Sequence, residues 1–211
     1  ATATLATELQ AFQQKFMEGI PKDLGELMLA KTEELAKSGV VENAIKVGDR
    51  CPEFTLPDAK GNEQSLSTFL EKGPVVLTFY RGSWCPYCNI TVQKLQKFLP
   101  EFEAKGASLV AISPELPEYT EKMSELTFPV LSDVGMNVGS KFGIKFTLQP
   151  ELQKVYTEFE LDVNAHNGDE TFQLPLPATY VINKDGIVTY AFVNADYTKR
   201  AEPAEILKAL E

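Results

Sequence analysis

An apolar run, Pro74-Val75-Val76-Leu77-Thr78-Phe79-Tyr80, is followed within four residues by Trp84-Cys85-Pro86-Tyr87-Cys88. The run lacks the polar–apolar alternation of a half-exposed strand, so it predicts a strand buried on both faces. A helix is predicted from about Pro86 to Ala104, where Val92, Leu95, Phe98 and Leu99 recur at helical spacing and Pro100 is expected to kink the end. A buried strand that turns directly into a helix requires further layers to cover it. This constrains the chain to an α/β architecture.

The two cysteines then fall at the opening of that helix. A helix start offers unpaired N–H groups and the positive end of the macrodipole, and both favour a thiolate. In such a place a cysteine pKa drops from about 8.5 toward 7 or below, raising the reactive fraction at neutral pH from roughly 3% to about half. Cys85 and Cys88 are therefore the expected redox centre. Zinc would need a second pair of ligands. Only Cys51 and the single histidine, His166, remain, and neither sits in a pair, so no metal or other cofactor is expected. Two inert core cysteines are the other alternative, which the flanking Trp84 and Pro86 and the strand-to-helix position disfavour.

The rest of the chain fills in around this unit. Leu5, Leu9, Phe12 and Phe16 share one helical face, and Gly19 and Pro21 end that helix. A second helix is expected from about Lys22 to Lys37, carrying Leu24, Leu27, Met28 and Leu35, with Gly39 after it. This pair packs on the main domain or forms a dimer contact. Residues 1–45 read as an N-terminal helical extension and 46–211 as the main domain. Phe54–Leu56 is extended, Asp58–Asn62 a turn, and Ser65–Leu70 a helical turn. Ser108–Ile112 and Phe128–Leu131 are further strands, with helices near Leu116–Glu125 and Val134–Phe142. Lys154–Leu161 reads as extended and Asn164–Asp169 as an exposed loop that leaves His166 outside the chemistry. Ala178–Ile182 and Ile187–Val193 form a hairpin about Asn183-Lys184-Asp185-Gly186, and Pro203–Leu210 a closing helix. The sum is a mixed sheet with helices on both faces.

Composition narrows the function classes. A net charge of −10 disfavours nucleic acid and anionic membranes. No apolar run approaches the roughly 20 residues a bilayer span needs. Ala1-Thr2-Ala3-Thr4-Leu5 lacks the basic start and apolar core of a secretory signal. Three cysteines are too few, and odd in number, for a secreted disulfide scaffold, so a reducing cytoplasm is expected.

Several motifs, in order, then carry a resemblance. Val47-Gly48-Asp49-Arg50-Cys51-Pro52-Glu53-Phe54-Thr55-Leu56-Pro57-Asp58 resembles the opening of peroxiredoxins, the thiol peroxidases of the thioredoxin-fold superfamily. So do Leu77-Thr78-Phe79-Tyr80, Val110–Ser113, Phe128–Asp133, Phe142-Gly143-Ile144 and Tyr180–Gly186, over roughly Val47 to Val193. The resemblance implies a thioredoxin fold with an N-terminal two-helix extension. It also departs from the family pattern, Pro-x-x-x-Thr-x-x-Cys. The peroxidatic position falls on Cys88, the threonine position on Cys85 and the proline position on Arg81; a family arginine is replaced by Pro177. Leu176-Pro177-Ala178-Thr179 looks instead like the cis-proline turn of thioredoxins.

Two activities follow from the resemblance. One is a peroxidase: a thiolate attacks hydrogen peroxide or an alkyl hydroperoxide, the second cysteine closes a Cys85–Cys88 disulfide, and a thioredoxin-type donor reduces it. Arg81 is the nearest group able to stabilise the leaving oxygen, unless it is a surface arginine in a salt bridge. The other is a protein disulfide oxidoreductase, with Cys85 attacking and Trp84, Pro86, Tyr87 and Pro177 meeting the partner chain. Helix position favours Cys85 as the more open attacker, whereas the family alignment favours Cys88. Cys51 is a small half-buried residue or a distant resolving cysteine. Trp84 is expected to cover the pair, and Tyr119 to belong to the core.

Overall fold

The computed structural model describes residues 3–211. Ala1 and Thr2, the start of the Ala1–Leu5 stretch that reads against a secretory signal, lie outside them. Five strands form the central sheet: β3 (Val75–Phe79), β4 (Ser108–Ser113), β5 (Val130–Ser132), β8 (Ala178–Ile182) and β9 (Val188–Val193), in the order β5-β4-β3-β8-β9. β3 runs parallel to β4 and antiparallel to β8, with Phe79 opposite Ile112 on one side and Ala178 on the other. The sheet is mixed, as expected. Two ribbons flank it: β1 (Thr55–Pro57) with β2 (Glu63–Ser65), and β6 (Lys145–Thr147) with β7 (Gln173–Pro175).

Strand periodicity sorts the core into two layers. Val75, Leu77 and Phe79 point to one face, against Leu66, Phe69 and Phe142. Val76 and Tyr80 point to the other, against Val92, Leu95 and Phe102 of α4 (Pro86–Ala104). α4 passes through the exposed Pro100 and continues to Ala104.

The first two helices, α1 (Leu5–Glu18) and α2 (Lys22–Lys37), pack on this body, the first of the two expected alternatives. Leu5 and Leu9 are fully buried against α4. Each contributes about 1.5–3 kcal/mol by leaving water. Thr4 caps α1 through Thr7 N, and Glu202 accepts from the Ala6 N–H at 2.6 Å. Lys94, on α4, donates to Ala3 O at 2.8 Å and pairs with Glu8 at 3.3 Å. α2 instead joins a third cluster, in which Met28 packs with Leu152, Val155 and Tyr156 of α7 (Pro150–Glu158).

That helix overturns one expectation. Lys154–Leu161 is largely helical because Leu152, Val155 and Tyr156 recur at helical spacing behind Pro150, the first helical residue. A second correction is α8 (Val163–Asn167) in place of an exposed loop. Asp162 caps it by accepting from Ala165 N, and Gly168 closes it at φ 73°. The helix expected over 116–125 is α5 (Pro117–Thr120) followed by one 3₁₀ turn, and that over 134–142 is the short α6 (Asn137–Lys141).

The third correction concerns Pro177. Among the described residues no peptide bond is cis. Leu176 N donates to Ile144 O at 2.7 Å, continuing the β6–β7 ladder, and β8 begins at Ala178. Pro177 therefore sits in the two-residue link between β7 and β8, joined by a trans bond.

Candidate active site

β3 delivers Tyr80 and Arg81 to a tight loop, and α4 starts just beyond it. Cys85 is the residue before the first turn of α4, Pro86 the first helical residue, and Cys88 the third. Gly82 is required here by a close approach: a Cβ would lie 2.2 Å from Trp84 Nε1. Glu115 holds the loop from behind. It is fully buried and accepts from Ser83 N at 2.8 Å, Ser83 Oγ at 2.9 Å and His166 Nδ1 at 2.5 Å.

Both cysteines are free thiols and both are buried, Cys85 at 1% exposure and Cys88 at 0%. The expectation of an open Cys85 is thus corrected: Tyr156, Tyr197 and Trp84 wall off the helix start. The two sulfurs differ in their partners. Cys88 Sγ takes Arg200 Nη2 at 3.2 Å and the Arg81 backbone N–H at 3.4 Å. Cys85 Sγ has Arg81 Nη1 at 3.9 Å and the neighbouring Cys88 sulfur. Burial opposes charge on Cys88, but the Cys85 thiol, Arg200 and Arg81 outweigh it and hold Cys88 well below the usual thiol range. Burial, then the neighbouring Cys88, pushes Cys85 well above that range, against the opposing pull of Arg81 and Arg200.

Arg81 is 2% exposed, which rules out the surface salt bridge. Its Nη2 donates to Tyr156 Oη at 2.5 Å, and its guanidinium lies over Tyr197, Trp84 and Tyr156 at 4.2, 5.0 and 5.3 Å. Burial works against its charge, yet Tyr156, Cys85 and Tyr197 hold it protonated. Among the described residues no carboxylate lies within 4 Å of either guanidinium. Two cations thus face two sulfurs with no carboxylate in direct ion-pair contact with either.

The remaining candidates scatter. Tyr87 is buried against Phe12 and Tyr197, with ring centroids at 5.1 and 5.4 Å. Pro177 is buried, Pro86 exposed and Trp84 half-buried. Cys51 packs with Phe54 and Leu66 on the opposite face of the sheet, where burial and then Glu53 push its thiol up to about 12. His166 stacks on Tyr119, centroids 3.9 Å apart, and reaches the site only through Glu115. Tyr119 is half-buried, not core.

Sequence inspection missed Arg200, Tyr156, Tyr197 and Glu115. Arg200 lies past β9, its Nε fixed by Tyr197 O at 2.8 Å and its Nη1 by Thr91 Oγ1 at 3.4 Å. No motif surrounds it. Its one signal was indirect: the family arginine was missing from Pro177, so a guanidinium had to come from elsewhere.

Comparison with known proteins decides the lineage. A model described as the AhpC/TSA family matches residues 47–191, more than half of the chain. The chain belongs to the AhpC/TSA family. As a member it is an oxidoreductase of the peroxiredoxin, or thiol peroxidase, kind. It is similar to a Mycobacterium tuberculosis protein bearing a provisional peroxiredoxin name, at 35% identity over 124 residues, 57% of this chain and 80% of that one. The thiol-disulfide oxidoreductase ResA of Geobacillus kaustophilus is 28% identical over 169 residues, 76% of this chain and 79% of its own. Among solved structures, peroxidoxin BcpB from M. tuberculosis superposes with a TM-score of 0.62 at 27% identity, covering 79% of this chain and 96% of that one. The AhpC/TSA match begins at Val47, so α1 and α2 lie outside it. No helix among the described residues is long and apolar enough to cross a membrane.

Proposed function

We propose that this protein reduces hydrogen peroxide or alkyl hydroperoxides through a Cys85/Cys88 sulfenic acid–disulfide cycle and is re-reduced by a thioredoxin-type thiol donor. One observation carries this reading: two buried sulfurs face two guanidinium groups with no carboxylate in direct ion-pair contact with either. Such a site favours a thiolate and the developing negative charge of a leaving oxygen.

The unequal sulfurs suggest a division of labour. Cys88 stores the negative charge. Cys85 borders the accessible space and donates its proton toward Cys88. When a hydroperoxide arrives, the proton passes to Cys88 and the Cys85 thiolate attacks the outer oxygen. The O–O bond breaks, Cys85 becomes a sulfenic acid, and the alkoxide leaves beside Arg81, taking the proton back as the alcohol. Cys88, again a thiolate, attacks the Cys85 sulfur; the hydroxide takes a solvent proton and leaves as water. Two thiols are oxidised to one disulfide as one hydroperoxide is reduced to alcohol and water. A thiol donor then opens the bridge by exchange, in keeping with a reducing, cytoplasmic setting.

The second reading, a protein disulfide oxidoreductase, is favoured by the Cys-x-x-Cys pair and by the likeness to ResA. Against it stands burial. A protein disulfide cannot reach sulfurs that are 1% and 0% exposed without opening the loop, whereas a small hydroperoxide can enter beside Cys85. The test is peroxide consumption with dithiothreitol or thioredoxin as donor, beside insulin reduction by the same sample. Fast peroxide loss with little insulin activity is expected; the reverse pattern would sink the peroxidase.

A further inference from the structure

Cys85, but not Cys88, lines a chamber of ≈170 Å³. Its lining has two origins. Arg81, Trp84, Cys85 and Tyr156 come from the redox body. Phe12 and Phe16 of α1 and Met28 of α2 form the opposite wall, with Phe159 beside them. The rings interlock: Phe12 meets Tyr87 at 5.1 Å, Phe16 meets Phe159 at 6.0 Å, and Trp84 meets Tyr156 at 5.6 Å between centroids. No lysine, aspartate or glutamate contributes to the lining. Cys85 and Arg81 are the lining residues that belong to the redox centre, Tyr156 Oη accepts from Arg81 Nη2, and the surface of the chamber is otherwise almost wholly apolar.

We infer that the amino-terminal helix pair is the specificity wall of the redox site, and that its chamber takes the aryl or branched-alkyl group of an organic hydroperoxide. The inference rests on the peroxidase reading and deepens it by naming what selects the substrate. Three observations converge. The chamber is almost wholly apolar and touches the redox centre only at Cys85 and Arg81, so it matches an apolar group whose O–OH end reaches those two residues. An apolar cavity of about 150 Å³ holds a benzene-sized guest, so the size fits a phenyl or tert-butyl group and leaves hydrogen peroxide without contacts. The helices that close it lie outside the segment matched to the AhpC/TSA family, so this wall comes from outside the matched body.

The packing of α1 supports a fixed wall. Buried Leu5 and Leu9, the Lys94–Glu8 pair and the Glu202 carboxylate on the helix start anchor α1 at its amino-terminal end. Phe12 and Phe16 project from the same helix two and three turns later. Each apolar carbon moved from water into such a wall strengthens binding by about fourfold, from roughly 0.8 kcal/mol per methylene.

Trp84 is the only tryptophan of the chain and lines the chamber, so its fluorescence reports occupancy. The probe is 2-phenyl-2-propanol, the alcohol formed from cumene hydroperoxide, titrated into the full-length reduced protein. A saturable fluorescence change is expected, with glycerol at equal concentration giving none. Absence of a saturable change up to the solubility limit would overturn the inference in the unmodified protein, whatever becomes of the variants. Met28→Phe, which fills the chamber from α2, should weaken the alcohol by about tenfold or more. It should also lower the ratio of kcat/KM for cumene hydroperoxide over hydrogen peroxide by a similar factor. Equal loss on both peroxides would mean that the helices serve structure alone, and would count against a specificity wall. Should neither peroxide be consumed while the alcohol still binds and Met28→Phe still weakens it, the peroxidase reading falls and the apolar binding chamber stands.

Discussion

Two buried cysteine sites lie on opposite faces of one sheet, and they differ almost completely in chemistry. Cys51 sits among Phe54, Leu66 and Phe69, with Glu53 nearby and its thiol reaching only Pro52 O at 3.6 Å. Burial and that acid silence it. Cys88 is more deeply buried, yet the Cys85 thiol and the Arg200 and Arg81 guanidinium groups hold its pKa well down. Removal from water does not by itself make a thiol reactive or inert. The donors aimed at the sulfur decide, and here they come from β3, α4 and the loop after β9.

The largest break in this contrast should come from the pair itself. Cys85→Ser removes the sulfur that borders the chamber and should abolish peroxide turnover. Cys88→Ser should still form a sulfenic acid at Cys85, slowly, because the proton acceptor is weakened but the attacking sulfur remains. Trapping with a sulfenic-acid reagent and mapping the adduct checks both. Adduct on Cys88 in the Cys85→Ser protein, with turnover persisting, would reverse the assignment of roles.

Next in size is Arg200→Gln, which removes the cation 3.2 Å from Cys88. An opposite charge at such range is worth about one to three pKa units, so thiolate absorbance should titrate at higher pH by that amount. The sign carries to stability. Cys88 is depressed in the folded state, so its contribution in the reduced protein is full above an ordinary thiol pKa and fades as pH falls through the lowered value. Arg200→Gln should flatten that rise of stability with pH. An unshifted titration would mean that the Cys85 thiol and the Arg81 guanidinium suffice.

How much of this was legible in advance follows the range of the interactions. β3, α4 and the hairpin β8–β9 were readable because runs such as Val75–Phe79 and repeats such as Val92, Leu95 and Leu99 encode their structure locally. α2 matched its expected limits, Lys22 to Lys37. α7 was misread because Val155, Tyr156 and Phe159 favour strands in isolation, and only packing on Met28 and Leu174 favours the helix. α8 could have been found, since Asp162 and Gly168 are its cap and its stop. The sulfurs and Arg81 were visible because they are sequence neighbours. Arg200 is 112 residues from Cys88, and Tyr156 is 75 from Arg81; no spacing rule connects them. Pro177 was misassigned because likeness to a thioredoxin turn was local, whereas the β6–β7 ladder that holds the chain up to Leu176 is not.

A smaller effect is expected behind the loop. Glu115→Ala strands Ser83 and His166, whose bonds to a buried carboxylate hold the turn before Trp84. Removing one partner of such a buried network costs about 1–3 kcal/mol, read as a lower midpoint in urea. The conservative Glu115→Gln keeps one acceptor oxygen, for the Ser83 N–H, and should recover part of that loss. Equal stability of the Ala variant and the unmodified protein would show that Gly82 and Trp84 hold the loop unaided.

The smallest effect returns to the opposite face. Cys51→Ala deletes one sulfur from a core that also holds Phe54, Leu66 and Phe69, and leaves no donor or acceptor unpaired except Pro52 O, whose bond at 3.6 Å is long. A stability loss of about 1 kcal/mol, the ordinary value for a point change, is expected, with peroxide turnover within about twofold. The sheet itself lies between Cys51 and the redox pair, so a bridge to Cys85 or Cys88 would demand that β3 and β8 separate. A large loss of turnover in Cys51→Ala, with the midpoint unchanged, would mean that the sheet opens during the cycle and that the silent thiol is the resolving one.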